Sequence, residues 1–395
     1  MGKSIYEELG VDASKASVRR TFESVVDNEY PGAFVNIITD PYCPTRAVTM
    51  HQDGDGSKFV QRMLHYLEDG DGSVFDGMVD DALAMNTGDI AAAGFVSGPW
   101  LLTDVLNLNM EPGLKSVVMA AVARRMSELL ELYRSFGFSI KFLGGETADL
   151  RHQVRSGVFD VGITAFEEKN NLIAGNVEPG DIIFGFQSDG QAAWETRPNS
   201  GIMSNGLTMA RSALMSREYN TKYPQLRGED PCYSGRFLYN QPLWSGNKMT
   251  AGEALISPTR QWPIVVKELI SQLEKRQALP MLHGISMNTG GGCTKIGHVG
   301  QGIAYLKAMT PSSIADIFYL LAEESEESWE NMFQTFNCGV GIDIVGKNDP
   351  AFISALEAAS ETTMVNFFEL GACEPSKKGK ENEVVIFSDY GTFSY

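Results

Sequence analysis

The sequence predicts an α/β protein of two domains, and three observations lead there. Strand-like apolar runs alternate with helical periodicities along the chain. A length of 395 residues exceeds the ~250–300 at which a single hydrophobic core stops growing. A hydrophobic content of 43% with 10% aromatics is ample for a packed core and speaks against disorder.

Taken in order, Ser14 to Glu29 reads as a short amphipathic helix, Val35–Thr39 and Arg46–Met50 as strands, and Phe59–Leu67 as a helix. Residues 84–97 (AMNTGDIAAAGFVS) are mostly small and suit close backbone packing. The clearest helix runs from Lys115 to Phe136: Val118, Val122, Met126, Leu129 and Leu130 recur at helical spacing, and Gly137 supplies the C-terminal cap. Strands are expected at residues 139–145 and 158–164. Asn176 to Gly180 is a turn leading into the apolar strand Asp181–Phe186, which divides the chain into residues 1–175 and 176–395. Helices are then predicted at 206–217, 259–277 and 312–330, with a late strand at 384–388. Residues 218–250, irregular and rich in aromatics, Pro and Gly, read as a long surface excursion.

Charge and cysteine usage exclude several classes of function. With 32 Lys and Arg against 50 Asp and Glu the net charge is −18, and no basic block marks a nucleic-acid or anionic-membrane surface. Five cysteines, an odd number with no CxxC, argue against a disulfide framework or a zinc ribbon. The histidines (His51, His65, His152, His283 and His298) show no zinc-ligand spacing. The first residues contain no apolar signal core, and no apolar stretch is long enough to cross a bilayer, so a cytoplasmic location is expected.

The chemistry-bearing residues sit in glycine-flanked loops. Asp53-Gly54-Asp55-Gly56-Ser57-Lys58 places carboxylates, glycines, a hydroxyl and a lysine within six positions. Carboxylates can hold Mg²⁺, glycines allow close approach of a phosphate, and lysine can neutralise it. The spacing is not that of a Walker A loop. The second DGDGS, at 69–73, reads as a polar turn. Neither copy is a calcium loop, since Gly is missing at position 6 and Glu at position 12. Gly88-Asp89 and Gly144-Gly145-Glu146-Thr147-Ala148-Asp149 have the same character. Singly each suits a helix cap; together they point to one Mg–polyphosphate site. In the second half, Ser204-Asn205-Gly206 and Pro258-Thr259-Arg260 open helices, where N–H groups or an arginine fork could bind phosphate. Thr289-Gly290-Gly291-Gly292 is costly in backbone entropy and invites a functional reason. Cys338, among Gly and apolar residues, reads as a buried structural thiol.

In order, the strings YEELGVD (6–12), DGDGSK (53–58), GDIAAAG (88–94), FLGGETAD (142–149), SNGLTMAR (204–211), SPTR (257–260), TGGG (289–292) and TFNCGVGI (335–342) resemble the phosphoribosylformylglycinamidine cyclo-ligase (aminoimidazole ribonucleotide synthetase) family over nearly the whole chain. The resemblance implies ATP-dependent closure of formylglycinamidine ribonucleotide to 5-aminoimidazole ribonucleotide in purine biosynthesis, with ADP and phosphate released. It implies ATP and Mg²⁺ as cofactors. It also implies a homodimer whose N-terminal domains, α+β in character, build an interface sheet near the nucleotide, with α/β C-terminal domains carrying the substrate and phosphate loops. By this resemblance Asp53, Asp89 and Glu146 are metal ligands, and Gly54, Gly56, Lys58 and Gly145 join them at the nucleotide. Ser204, Asn205, Gly206, Arg260, Thr289, Gly290 and Gly291 face substrate or phosphate. Lys58 and Asn205 are the catalytic candidates.

The chain departs from the family at Met203 and Met287, where the family has His, at Gly88, where it has Asn, and at Asp55, an added carboxylate. These departures keep two alternatives in view, another ATP-dependent kinase or synthetase of the same superfamily and a non-catalytic nucleotide-binding protein.

Overall fold

A computed structural model describes residues 24–227, 232–243 and 249–395, together with Ile5, Leu9, Thr21 and Phe22. Half of the helix predicted from Ser14 to Glu29, most of the YEELGVD string and parts of the 218–250 excursion lie outside the described residues, and residues 24–29 are not helical.

Two sheets organise the chain. The first contains β1 (Ile38–Asp40), β2 (Cys43–Gly54), β3 (Pro99–Leu108), β4 (Ser139–Asp149) and β5 (Gly157–Glu168), in the order β1-β2-β5-β3-β4. Only the β3–β4 pair is parallel. Period-two alternation decides its faces. Phe159, Val161, Ile163 and Ala165 of β5 are buried against helices, whereas Met50, Leu143 and Val158, on the opposite face, are 76%, 68% and 40% exposed.

The covered face carries three helices. Helix α1 (Lys58–Asp69) begins directly after the first acidic loop and ends at Gly70, whose φ of 76° only glycine adopts without cost. Helix α2 (Asp76–Ala92) is buried all round from Met78 onward, because it lies between the first sheet, α3 and elements of the second half. The small residues of 84–97 are therefore the interior of a central helix, where they permit close contact on every side. Helix α3 (Pro112–Ser135) buries the predicted stripe Val118, Val122, Met126, Leu129 and Leu130, and Gly137 follows in the left-handed region at φ 77°.

The second sheet gathers β6 (Ile182–Gln187), β9 (Leu282–Met287), β10 (Ile303–Met309), β11 (Val340–Gly346), β12 (Phe367–Pro375), β13 (Glu383–Ser388) and β14 (Gly391–Ser394), in the order β14-β13-β10-β12-β6-β11-β9. A two-residue pair, β7 (Asp189–Gly190) with β8 (Asn199–Ser200), stands apart. The helices here are α4 (Leu207–Leu214), α5 (Ala251–Ile256), α6 (Trp262–Lys275), α7 (Asp316–Ser325), α8 (Trp329–Thr335) and α9 (Pro350–Thr363), besides a short turn at Tyr219–Lys222. The single helix predicted over 312–330 is two. Glu326 adopts a left-handed φ of 57° after α7, and the Ser328 hydroxyl caps α8 by accepting from the Asn331 N–H. No helix among the described residues is long and apolar enough to cross a membrane.

Candidate active site

Strand β2 delivers Asp53 and Gly54 to the edge of α2. Gly54 faces Asp160 on β5 in register, and a Cβ at position 54 would lie 2.1 Å from Asp160 Oδ1 and 2.6 Å from the Phe159 carbonyl. Only glycine fits there. His51, two residues before Asp53 on the same strand face, joins β2 to α2. Its Nδ1 is 3.0 Å from Asn86 Oδ1, and its Nε2 is 3.2 Å from Asp89 Oδ2. Asn86, one turn before Asp89, donates to the Asp53 carbonyl at 2.9 Å. Burial opposes protonation of His51, but the Asp89 carboxylate outweighs it, with help from Asn86 and Asp53, and lifts the imidazole to about 9. Asp89 Oδ1 is buried without a partner. Burial and the nearby Asp53 both raise Asp160.

Thus Asn86 and His51 tie the end of β2, at Asp53, to Asp89 on α2, and Asp160 lies near Asp53. Asp160 is legible in retrospect as the residue whose bulk demands glycine opposite. His51 is legible as the strand neighbour two positions before Asp53.

Glu146 does not join them within one chain. The register runs Gly54–Asp160–Val105–Glu146 across β2, β5, β3 and β4, three strand spacings or roughly 14 Å. Glu146 lies exposed on the edge strand, and its neighbour Gly145 faces Asp104. The compact cluster of metal-ligating side chains among the described residues is Glu178–Asp181–His283. There the Lys347 ammonium already lies 2.5 Å from Glu178 and 3.4 Å from Asp181.

Lys58 is turned inward rather than toward a phosphate. Its ammonium is fully buried and donates to Asp81 Oδ1 at 2.9 Å and to the Ser257 carbonyl at 2.6 Å. Burial lowers it to about 8. Asp81, unremarked in the sequence, is the hub. It also accepts from Arg62 (2.5 Å), from the Thr259 N–H and hydroxyl (both 2.7 Å) and from the Ser204 hydroxyl (2.9 Å). Its own burial would raise it; the Lys58 and Arg62 charges hold it below the usual carboxylate range. Through Asp81 the first loop, the Ser-Asn-Gly loop and the Pro-Thr-Arg loop meet. Thr208 adds a bond of 3.1 Å to Ser57.

Arg260 is likewise committed. Its guanidinium is bidentate on Glu195 (2.8 and 3.0 Å) and donates to the Gln187 and Asp189 carbonyls at 2.6 and 3.1 Å. With those donors spent, it closes the β6–β7 turn and offers no fork to phosphate.

The remaining predicted residues converge. Met203 is buried at a left-handed φ of 52°, a conformation that costs a non-glycine residue about 1–3 kcal/mol and clusters at functional sites. Asn205 donates to the Thr335 carbonyl at 2.5 Å. A Cβ on Gly206 would meet the Phe336 ring at 2.2 Å, and one on Gly292 the Phe336 carbonyl at 2.3 Å. The two glycine loops therefore press on one residue. Thr289, Gly290 and Gly291 follow β9, with Gly291 at φ 104°. Just before them Met287 lies on Gly88 of α2, where an added Cβ would stand 2.5 Å from Met287 Cε. This contact joins the Asp89 helix to the TGGG loop.

No family model matches the chain. In sequence it is similar to proteins named phosphoribosylformylglycinamidine cyclo-ligase. That of Brevibacillus brevis is 26% identical over 372 residues, covering 90% of this chain and 92% of the relative. That of Desulfitobacterium hafniense is 29% identical over 297 residues, 73% of each. That of Thermococcus kodakarensis is 32% identical over 271 residues, 68% of this chain and 64% of the relative. Among solved structures, T. maritima PurL complexed with FGAR aligns with a TM-score of 0.53 at 12% identity, covering 98% of this chain and 53% of that one. The HypE-HypF complex aligns at 0.52 and 15% identity, covering 96% and 98%. These structures show the same mixed α/β fold.

Proposed function

The chain is a divergent relative of the phosphoribosylformylglycinamidine cyclo-ligases, and from that premise we propose that it closes the ring of formylglycinamidine ribonucleotide with ATP, yielding 5-aminoimidazole ribonucleotide, ADP and phosphate. The observation that carries this reading is convergence. Along α2, Asn86 binds the Asp53 carbonyl, Gly88 beside Asp89 packs on Met287 and Asp81 binds Ser204, while Gly206 and Gly292 press on Phe336.

Mg²⁺ suits the first part of this set, since Asp89 keeps a buried unpartnered oxygen and the Asp53 carboxylate lies close enough to raise Asp160. Asp53 and Asp89 would hold it, and its charge would offset that of the triphosphate. The formyl-amide oxygen takes the γ-phosphoryl group, an internal nitrogen attacks the activated carbon, and the oxygen leaves with phosphate. The protein's part is to hold the two ends in line and keep water out. Lys58 and Arg260 act in this reading as struts that fix the loops.

Dimerisation belongs to the same proposal. The first sheet leaves Met50, Val158 and Leu143 uncovered on the face away from its helices, and a second copy laid there would cover them and bring Glu146 toward the partner's nucleotide. We also take residues 1–175 as the nucleotide-binding and dimerisation domain and 176–395 as the domain of the substrate and phosphate loops.

The test is direct. Purified protein with ATP, Mg²⁺ and formylglycinamidine ribonucleotide should form an aminoimidazole detectable by diazo coupling; folded protein that binds ATP and forms none would overturn the reading.

A further inference from the structure

Between strands β3 and β4 and helix α3 lies a cavity of about 320 Å³, a size that suits small-molecule sites. Its walls are mostly apolar: Met119, Val122 and Met126 come from α3 and Phe142 from β4. Met119 and Phe142 also remain open to solvent. One charged group faces this space. Asp104 of β3 lines the cavity, and its carboxylate takes a hydrogen bond from its own backbone N–H and from no other described residue. Burial raises it above the usual carboxylate range. A glycine of β4 makes room for the carboxylate, since a Cβ at Gly145 would stand 1.8 Å from Asp104 Oδ1. Any larger residue at that place in the Gly-Gly-Glu motif would push the acid aside.

The walls and the single acid together restrict what can bind. A phosphate or a second carboxylate would be repelled by Asp104, and a wholly apolar ligand would cover that acceptor without supplying a donor. A flat heteroaromatic ring with an exocyclic amino group meets both demands. It lies on the apolar walls while its N–H pairs with the carboxylate. We propose that this cavity takes the adenine of ATP, with Asp104 accepting from the N6 amino group as the residue that selects the base. The inference rests on the cyclo-ligase reading above and deepens it. Glu146 follows Gly145 on the same strand, so the cavity and Glu146 would serve one nucleotide, the base at one and the metal end at the other.

Calorimetry on the full chain with Mg²⁺ compares ATP with inosine triphosphate and GTP, which carry O6, an acceptor, where adenine carries the amino group. The wild type should prefer ATP to either by about 10-fold or more, because O6 sets oxygen against oxygen. In Asp104→Asn, whose amide can donate to O6, the preference over inosine triphosphate should fall to about two-fold or less. Ala123→Trp provides a second reading, at an exposed position of α3 that lines the cavity. It should weaken ATP binding severalfold by filling the space, with Tm kept. Equal affinity of the wild type for ATP and either competitor, or binding untouched by both substitutions in folded protein, would overturn the base site.

Two readouts separate the base site from the reaction. ATP preferred as stated, with Asp104→Asn losing the preference but no aminoimidazole formed by the wild type, would support the base site and remove the cyclo-ligase reading. Aminoimidazole formed by a chain whose nucleotide binding ignores both substitutions would keep the reaction and place the base elsewhere. A wild type that binds none of the three nucleotides has no base site in this cavity.

Discussion

Lys58 and Asp55 sit three residues apart in one loop and illustrate how burial redirects a side chain. A lysine after two glycines and a hydroxyl reads as a phosphate contact, yet Lys58 is spent on Asp81 and the Ser257 carbonyl. Lys58→Met should therefore act on stability. Removing one partner from a buried charge network costs about 3–5 kcal/mol, visible as a large fall in Tm, and ATP affinity of the folded fraction should change little. A selective loss of ATP binding at unchanged Tm would restore the phosphate role.

Asp55, the added carboxylate, is fully buried with both oxygens unpartnered, and burial drives it well above the usual carboxylate range. An acid raised on folding destabilises the native state progressively as pH rises from its unfolded value, near 4, toward its folded value. Asp55→Asn, in chelator and without Mg²⁺, should be more stable than wild type at pH 8 by about 1–3 kcal/mol, with the gain shrinking toward pH 4. A gain independent of pH would show that Asp55 is ionised or paired in the folded protein. Sequence alone could place these residues at the site but not say which way they face, because orientation depends on Asp81 and Arg62, contributed by other turns of helix.

The helical stripe of α3 was legible because one face alone is buried. Helix α2 was not, since burial on all sides erases any stripe and leaves a run of small residues with no period. Its contact with β9 depends on Gly88 and Met287, the two positions that depart together from the resembled family. Met287 occupies the room that a side chain at 88 would need. Gly88→Ala should cost about 1–3 kcal/mol by overpacking, although alanine is the better helix former by about 1 kcal/mol. Met287→Ala should remove most of that penalty in the double variant, and a double-mutant cycle in denaturant measures the coupling. Strict additivity would mean that the two residues do not share this space. The order of the glycine loops along the chain was readable, as was the turn before β6. The break between α7 and α8 was not, since it rests on the single left-handed Glu326 within an otherwise helical pattern.

At the scale of the molecule, the open face of the first sheet and the position of Glu146 bear on one question. Within one chain Glu146 is three strands from Gly54, and the face bearing Met50 and Leu143 has no partner among the described residues. If two chains meet there, Leu143→Glu should yield monomers in light scattering and should lose turnover along with the dimer; a dimer that persists would place the interface elsewhere. The deeper claim is chemical. ATP is held to activate the formyl-amide oxygen, so that oxygen must depart in the phosphate. Substrate carrying oxygen-18 at the formyl oxygen, turned over with ATP and Mg²⁺, decides this by mass analysis of the products. One labelled oxygen should appear in each phosphate released, in step with aminoimidazole formed. Unlabelled phosphate, or ADP released without aminoimidazole, would contradict it.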